Sequence, residues 1–356
     1  MRMIRKKKKI KNNLKFIKIH IIKLDAVKKR RHFLLTFLFV SSKIKKKQDI
    51  SGGNAMRKYL LSESGKFYKA NLHCHTTLSD GKTTPEETKK AYMDKGYSVI
   101  AFTDHKNFFV HNDLTEETFL ALNGYEADVG LMNPKGWNCS KLCHICVIAL
   151  DKNITEVPVW ENKAYTGESI SAFMKNNVEN GFFVTYNHPN WSLESYPEYI
   201  NYKGASALEI INYGCIVEGY DDRNDHVYDD MLRGGERIFA IAADDNHNPP
   251  HDSFGGYTMI KAESLTYEDV AKSLKEGNFY ASEGGPDILE LYVEDGKVCI
   301  KTDKAREIYF STDRRRCRRA LGNEAVFEIG ECDYFRLTAV GEDGKESYTN
   351  AYFLFD

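Results

Sequence analysis

The sequence predicts an α/β fold, a parallel sheet or barrel of about seven strands, followed by a small antiparallel β-sandwich. From Tyr68 onward, short β-branched or apolar runs alternate with helical stretches, a pattern typical of βαβ units. After Gly284-Gly285-Pro286 the pattern changes to alternating runs separated by turn signals, which is typical of an antiparallel sandwich. A chain of 356 residues is long enough for one or two domains.

Each element of the first region has a local signal. A strand over 68–74 is followed by Thr84 as an N-cap, with Pro85 at the first helical position and Gly96 at the helix end. Further helices are expected at 168–180, 226–232 and 267–276. Further strands are expected at 98–102, 122–127, 144–150, 182–186, 207–212 and 237–243.

The second region contains only strand signals. They lie at 288–293, 297–301, 308–311, 325–329, 334–340 and 347–355. The sequence therefore predicts three segments: a basic leader over 1–55, an α/β domain over 56–286 and a C-terminal β-sandwich domain over 287–356.

The near-neutral net charge of −1 is the sum of two opposite regions. Residues 1–55 hold 18 Lys and Arg and two acidic residues, whereas residues 56–356 hold 32 basic and 49 acidic residues, a charge of −17. The longest strongly apolar run, Phe33 to Val40, is less than half of the roughly 20 residues that a membrane span requires. We therefore expect no membrane association and, for the acidic body, no nucleic-acid partner.

The basic leader has three interpretations. Lysines interleaved with Ile, Phe and Leu could form a nucleic-acid arm or a membrane-surface helix. We favour a third: codons for Ser51-Gly52-Gly53 can contain AGGAGG, a bacterial ribosome-binding sequence, just before Met56. Translation would then begin at Met56, and residues 1–55 would not belong to the native protein or would be disordered. Mass spectrometry of the native N-terminus tests this expectation.

Histidines and carboxylates follow the predicted strands, at the face that carries the chemistry in barrel enzymes. His73 and His75 are two positions apart in an extended segment, so their imidazoles point to one side, as two ligands of one divalent ion would. Each such residue alone could equally be a hydrogen-bonded structural residue. The remaining candidates are Asp80, His105, Glu126, His188, Asp245 and His247, together with His144, which begins a predicted strand rather than ending one.

Together these residues favour a metal site. Imidazoles and carboxylates without a thiolate set suit Zn²⁺, Mn²⁺ or Fe²⁺ rather than Ca²⁺. A shared carboxylate such as Glu126 would allow two ions to lie ~3.5–4 Å apart.

The ordered motifs HCHTTLSDG, AFTDH, GYEAD, CHICVIAL, NHPNW and ADDNH resemble the polymerase-and-histidinol-phosphatase (PHP) family of metallohydrolases over about residues 68–286. The segment Tyr280 to Pro286 is similar to the closing motif of its carbaryl-hydrolase-like (CehA/McbA-type) branch. The resemblance implies a distorted (β/α)7 barrel with two or three divalent ions (Zn, Mn or Fe) and, most commonly, phosphoester hydrolysis.

The resemblance also implies three ligand sets. His73 and His75 would bind one ion with Glu126 and Asp245. Glu126 would bridge to a second ion held by His144 and His188. A third ion would lie on Asp80, His105 and His247. Asp245 is chosen over Asp244 because the family pattern is Asp-x-His, and Asp104 is expected to orient a ligating imidazole rather than to bind metal.

The expected function is hydrolysis of small phosphate mono- or diesters by a metal-bound hydroxide, without a side-chain nucleophile. Two alternatives remain: a carboxylic or carbamic ester hydrolase with the same metals, and a non-catalytic, metal-stabilised binding module. Candidate substrate contacts, for which a solvated or packing role is the simpler interpretation, are Lys106, Asn190, Trp191, Arg223 and Arg237.

The other polar features have structural interpretations. His111, His226 and His251 are expected at the surface. Cys139, Cys143 and Cys146 have a spacing that a zinc knuckle could use, but Cys146 lies in a predicted buried strand. Eight cysteines without a regular framework suit reduced thiols in a cytoplasm.

The basic cluster 313–319 could bind phosphate-rich partners, although a solvated hairpin tip is the simpler interpretation.

Overall fold

The computed structural model describes residues 57–355, which form two β-sheets and six α-helices. The basic leader and the proposed start at Met56 lie outside the described residues. The larger sheet contains, in chain order, β2 (Lys66–Asn71), β3 (Val99–Phe102), β4 (Leu120–Leu131), β5 (Lys141–Ala149), β6 (Phe182–Tyr186), β7 (Ala207–Asn212), β8 (Phe239–Ala243), β9 (Tyr257–Ala262), β10 (Phe279–Ser282), β13 (Glu307–Thr312), β14 (Arg318–Leu321), β16 (Tyr334–Val340), β17 (Glu346–Thr349) and β18 (Tyr352–Phe353). The smaller sheet contains β1 (Lys58–Tyr59), β11 (Ile288–Glu294), β12 (Lys297–Thr302) and β15 (Glu324–Glu328).

The larger sheet is mixed rather than parallel. Its hydrogen-bonded order is β14-β13-β16-β17-β10-β9-β2-β3-β4-β5-β6-β7-β8, and β18 pairs with β16. Strands β2, β3 and β4 are parallel, as are β6, β7 and β8, whereas β5 is antiparallel to both of its neighbours. The expectation of an all-parallel sheet is therefore wrong at β5. The reason is that β4 and β5 are joined directly by residues 132–140, and a parallel pair needs a longer crossover, usually through a helix.

The first helix begins at its predicted capping signal and ends at Met93, before the predicted Gly96. Helix α1 (Pro85–Met93) begins with a capping box, in which Thr84 Oγ1 accepts from Glu87 N and Glu87 Oε2 accepts from Thr84 N at 2.9 Å. The others are α2 (Gly167–Glu179), α3 (Tyr196–Tyr199), α4 (Tyr213–Val217), α5 (Asp225–Arg233) and α6 (Tyr267–Glu276). In the described part of the chain, none of these helices has the length and apolar character needed to cross a membrane.

The antiparallel strands expected after Pro286 are present and share a core. Leu291 and Val298 of the smaller sheet lie in one hydrophobic cluster with Ile308 and Leu337 of the larger sheet. Strand β17 pairs with β10, so these strands are also continuous with the larger sheet. The basic cluster is partly inside β14, where Arg318 packs over the Phe310 ring at 4.1 Å.

The chain segments after β2 and β8 are joined by backbone hydrogen bonds. Asp245 N donates to His73 O at 3.0 Å, and His75 N donates to Asn246 O at 3.1 Å. These bonds place the histidines that follow β2 directly beside the acidic segment that follows β8.

Candidate metal centre

All nine residues predicted as ligands lie in adjoining clusters; Glu126 and His144 lie within β4 and β5, and the other seven lie in the segments that follow strands. The donor atoms within each cluster lie within 4.8 Å of one another. The clusters are His73-His75-Asp245, His105-Glu126-His144, His75-Asp80-His105-His247, His73-His188-Glu209 and His73-Glu126-Cys146.

The first candidate set is formed by the two strand-end histidines and Asp245. The Nε2 atoms of His73 and His75 are 3.0 Å apart, so both imidazoles point to the same place, as their i, i+2 spacing predicts. Asp245 Oδ1 lies 3.1 Å from His73 Nε2 and 3.0 Å from His75 Nε2. Three donor atoms on two chain segments therefore converge on one position.

Glu126 lies at the centre of the cluster. Its Oε1 lies 3.2 Å from His73 Nε2, 3.1 Å from His144 Nδ1 and 3.3 Å from His188 Nε2. Its Oε2 lies 3.0 Å from His105 Nδ1. One carboxylate thus contacts imidazoles from four different chain segments.

Asp80 lies at the open side of the cluster. It is the most exposed of the nine side chains, at 56%, and its oxygens lie 3.4 Å from His247 Nε2 and 3.6 Å from His105 Nε2. The third predicted set is therefore brought together, at the side that faces solvent.

The unpartnered atoms of the cluster fit bound cations. Within residues 57–355, His75 Nδ1, Glu126 Oε2 and Asp245 Oδ1 are buried and make no well-directed hydrogen bond, although imidazole nitrogens lie 3.0–3.1 Å from the two oxygens. Buried polar atoms are nearly always satisfied, and these atoms are donors that divalent metals use. The site therefore has the chemistry of a metal centre.

Charge pairing sets the protonation of the metal-free cluster. Burial lowers the pKa of the His73 imidazole. Nearby acidic groups, Asp245 most strongly, raise it by more than burial lowers it, so this pKa lies well above its ordinary value. Burial raises the pKa of Glu126, yet the surrounding imidazoles keep it well below its usual range. Burial and the nearby His247 lower the pKa of His75 to about 4. In the metal-free protein these imidazole and carboxylate groups share protons, and bound divalent cations would displace those protons.

Glu209 is a site residue that sequence reasoning missed. Its Oε1 is 3.0 Å from His73 Nδ1, and its Oε2 accepts from His188 N at 3.1 Å and from Asn212 Nδ2 at 2.8 Å. A carboxylate that fixes the far nitrogen of an imidazole sets its tautomer and orientation. The available signal was a lone acidic residue in the otherwise apolar strand β7.

Two aspartates beside predicted ligands have structural roles. Asp244 is fully buried and accepts from Gly256 N, Phe254 N and the Tyr92 hydroxyl, whereas Asp245 Oδ1 faces His73 and His75. Asp104 accepts from Thr76 N and Thr76 Oγ1, both at 2.8 Å, and therefore fixes the loop before Asp80 rather than an imidazole.

A cavity of about 840 Å³ opens over the cluster. Of the candidate substrate contacts, Lys106 and Trp191 line it. Arg223 instead pairs with Glu283 at 2.9 Å, and Arg237 donates to the carbonyl of Phe355. Asn190 does not line the cavity, and its N–H donates to Asp222 at 3.1 Å.

The structure also describes the three histidines expected at the surface and the cysteines. His226 and His251 are exposed as expected, whereas His111 is buried against the Phe102 ring, so its surface placement is wrong. All eight cysteines are unpaired, and Cys146 belongs to a cluster with His73 and Glu126 rather than to a zinc knuckle.

A buried carboxylate supports the loop that carries His188 and Trp191. Glu194 accepts from the hydroxyls of Tyr165 at 2.7 Å and Tyr186 at 2.6 Å, and from that of Tyr202. Burial raises the pKa of Glu194 to about 7, despite these three donors.

Glu194→Gln should remove a pH dependence of stability. Because the folded-state pKa of about 7 exceeds the ordinary value of 4.5, this group stabilises the fold fully below pH 4.5, and the contribution is lost as pH rises to 7. The loss amounts to about 3 kcal/mol from this group alone. Urea unfolding of both proteins at several pH values measures the difference between their free energies of unfolding. A difference that stays constant between pH 4.5 and 7 would contradict the assignment.

A protein-family model matches the part of the chain that contains most of the site. Residues 71–216 match the PHP domain family. The chain shares 14% identity with a two-domain Bacteroides vulgatus protein described as containing a predicted PHP-like metal-dependent phosphoesterase, with a TM-score of 0.45 over 85% of this chain and 100% of that one. An amidohydrolase from Chromobacterium violaceum, solved with bound sulfate and no metal, shares 15% identity, with a TM-score of 0.34 over 51% of this chain and 89% of that one.

A Bifidobacterium adolescentis protein assigned as a metal-dependent phosphoesterase shares 13% identity, with a TM-score of 0.35 over 60% of this chain and 96% of that one. No curated protein matches the chain. The matched segment begins at the strand before His73 and includes His73, His75, Asp80, His105, Glu126, His144 and His188. Residues 71–216, which carry seven of the nine candidate ligands, are therefore identified as a PHP domain.

Proposed function

We propose that the protein is a metal-dependent hydrolase of small phosphate mono- or diesters. The observation that carries the proposal is the convergence of nine imidazole and carboxylate side chains, three of whose buried atoms make no well-directed hydrogen bond within the described residues. His73, His75, Glu126 and Asp245 would hold one ion, and Glu126, His144 and His188 a second. Asp80, His105 and His247 would hold a third.

Divalent ions bound here would supply positive charge beside the substrate and lower the pKa of a water molecule, so the nucleophile need not be a side chain. The protein's own groups orient the imidazoles. His73 Nδ1 is held by Glu209 at 3.0 Å, and His188 Nδ1 lies 3.2 Å from Ser192 Oγ. His247 Nδ1 donates to Asp245 O at 2.9 Å, which leaves Nε2 as the atom able to bind a ligand or accept a proton.

The charge distribution supports an anionic small-molecule substrate. Three divalent ions would outweigh the three carboxylates Asp80, Glu126 and Asp245, so the pocket would be locally cationic within a body of charge −17. The acidic body disfavours nucleic acid as a partner. Eight unpaired cysteines support a reducing compartment such as the cytoplasm.

The proposal also covers the domain architecture of the chain and its place within the PHP family. Residues 56–286 would form a distorted (β/α)7 barrel, which the hydrogen bonds of His73 and His75 to the segment after β8 support. Residues 287–356 would be a C-terminal β-sandwich domain, which the core shared by the two sheets supports. The segment Tyr280 to Pro286 is the basis for placing the chain in the CehA/McbA-type branch.

Metal analysis followed by a substrate screen tests the proposal. Protein loaded with Mn²⁺ or Zn²⁺ is expected to hydrolyse 4-nitrophenyl phosphate or bis(4-nitrophenyl) phosphate, and metal-free protein is not. Hydrolysis of 4-nitrophenyl acetate or an aryl carbamate without any phosphoester turnover would favour the ester-hydrolase alternative. No turnover of any of these substrates would favour the binding module.

A further inference from the structure

Lys106 has an unusual backbone conformation in the wall of the cavity. Its φ is 67°, in the left-handed region that favours glycine. The position is held by hydrogen bonds from Lys106 N to Glu126 O at 2.9 Å and from Asn107 N to His105 O at 2.8 Å. A lysine is therefore fixed beside two candidate ligands, where glycine would have the lower conformational cost.

Lys82 lies in the cavity wall close to the same ligand set. Its backbone N–H donates to His247 O at 2.7 Å, and it follows Asp80 by two residues. Both lysines are exposed, and neither side chain makes an ion pair or hydrogen bond to a carboxylate anywhere in residues 57–355. Two unpaired cations thus border the set formed by Asp80, His105 and His247.

Apolar side chains form another part of the cavity wall. The Trp191 ring packs against His144, with ring centroids 5.4 Å apart, and against His188 at 5.1 Å. Its position is fixed by the hydrogen bond from Trp191 N to Asp222 at 2.9 Å. Other apolar side chains in the lining are Leu78, Met132, Trp137 and Leu142. The cavity therefore has a cationic part and an aromatic part, each tied to different candidate ligands.

We propose that Lys82 and Lys106 bind a negatively charged group of the substrate, and that its apolar part packs against Trp191. The substrate would then be an anionic ester with an aromatic or bulky apolar substituent. This inference rests on the proposed hydrolase function, which it makes more specific. The lysines act as point charges that select and orient the anion, whereas the cluster beneath them carries the chemistry.

Binding of inorganic phosphate tests the lysines without requiring turnover. Calorimetry is performed on metal-loaded wild-type protein, Lys82→Gln, Lys106→Gln and the double variant, with metal content measured in each. We expect each substitution to raise Kd about tenfold, and the increase to shrink at high salt. Lys58→Gln on β1 makes the same change in net charge outside the cavity and should leave Kd unchanged.

Lys106→Gly separates loss of binding from loss of folding. It removes the side chain but suits the left-handed backbone, so Tm should stay the same or rise by about 1–2 °C while Kd for phosphate rises. Arg316→Gly, at another left-handed position outside the cavity, should leave Kd unchanged.

A double lysine variant that binds phosphate as tightly as wild type would overturn the inference, as would a wild-type protein that binds none. Wild-type protein that binds phosphate through the lysines but turns over no phosphoester would instead overturn the proposed function alone.

Discussion

Replacing His73 and His75 together by alanine is expected to abolish hydrolysis and to remove bound metal. Both Nε2 atoms point at the position that Asp245 Oδ1 also faces, so the double variant loses two of the three donors there. A metal ion supplies several kcal/mol of transition-state stabilisation, so activity should fall by about 10³-fold or more. Turnover of 4-nitrophenyl phosphate and metal content by mass spectrometry measure the two effects.

The matched control for this pair is His226→Ala. His226 is exposed on α5 and belongs to none of the donor clusters, so its removal should change neither activity nor metal content. Far-ultraviolet circular dichroism of the double variant should show a folded protein. A double variant that keeps wild-type turnover would refute the metal centre as the site of catalysis.

Asp244→Ala should be among the most destabilising single substitutions at this end of the sheet. The carboxylate is fully buried and accepts hydrogen bonds from three successive N–H groups of residues 254–256, at 2.7–3.0 Å, and from the Tyr92 hydroxyl at 2.8 Å. Alanine removes the acceptor of all four donors, of which Gly256 N and the Tyr92 hydroxyl are buried, and this should lower the free energy of unfolding by about 3–5 kcal/mol. Urea unfolding of the metal-free protein measures this loss.

The neighbouring substitution Asp245→Ala provides the contrast. Within the described residues Asp245 accepts one hydrogen bond, from Asn212 Nδ2 at 3.1 Å, whereas Asp244 accepts four, so the loss of Asp245 should destabilise the metal-free protein less than the loss of Asp244. Metal binding should instead be weakened strongly. Equal destabilisation by the two substitutions would show that the assignment of one aspartate to structure and the other to the metal is wrong.

Much of the site was predictable because its signals are local. His73 and His75 needed only the two-residue period of an extended segment, and most other ligands follow strands whose apolar runs are continuous in sequence. The family resemblance then related these separate motifs to one another. The structure brings all nine residues together, and their roles as ligands remain predictions.

What was missed depends on contacts between distant segments. Glu209 gains its role from His73, 136 residues away in sequence, and nothing in the local sequence identifies that partner. Arg223 was a plausible substrate contact until the fold placed Glu283 beside it. The antiparallel direction of β5 similarly follows from its short connection to β4, whereas strand signals alone do not specify direction.

The hydrogen bonds between the segments after β2 and β8 have a consequence for how the protein is made. His73 and His75 leave the ribosome long before Asp245, which completes their donor set. Contacts between residues so far apart in sequence form late, because the loop between them must first close. A nascent chain that ends before Asp245 cannot complete the donor set of His73 and His75, so metal capture by this set requires that synthesis has passed β8.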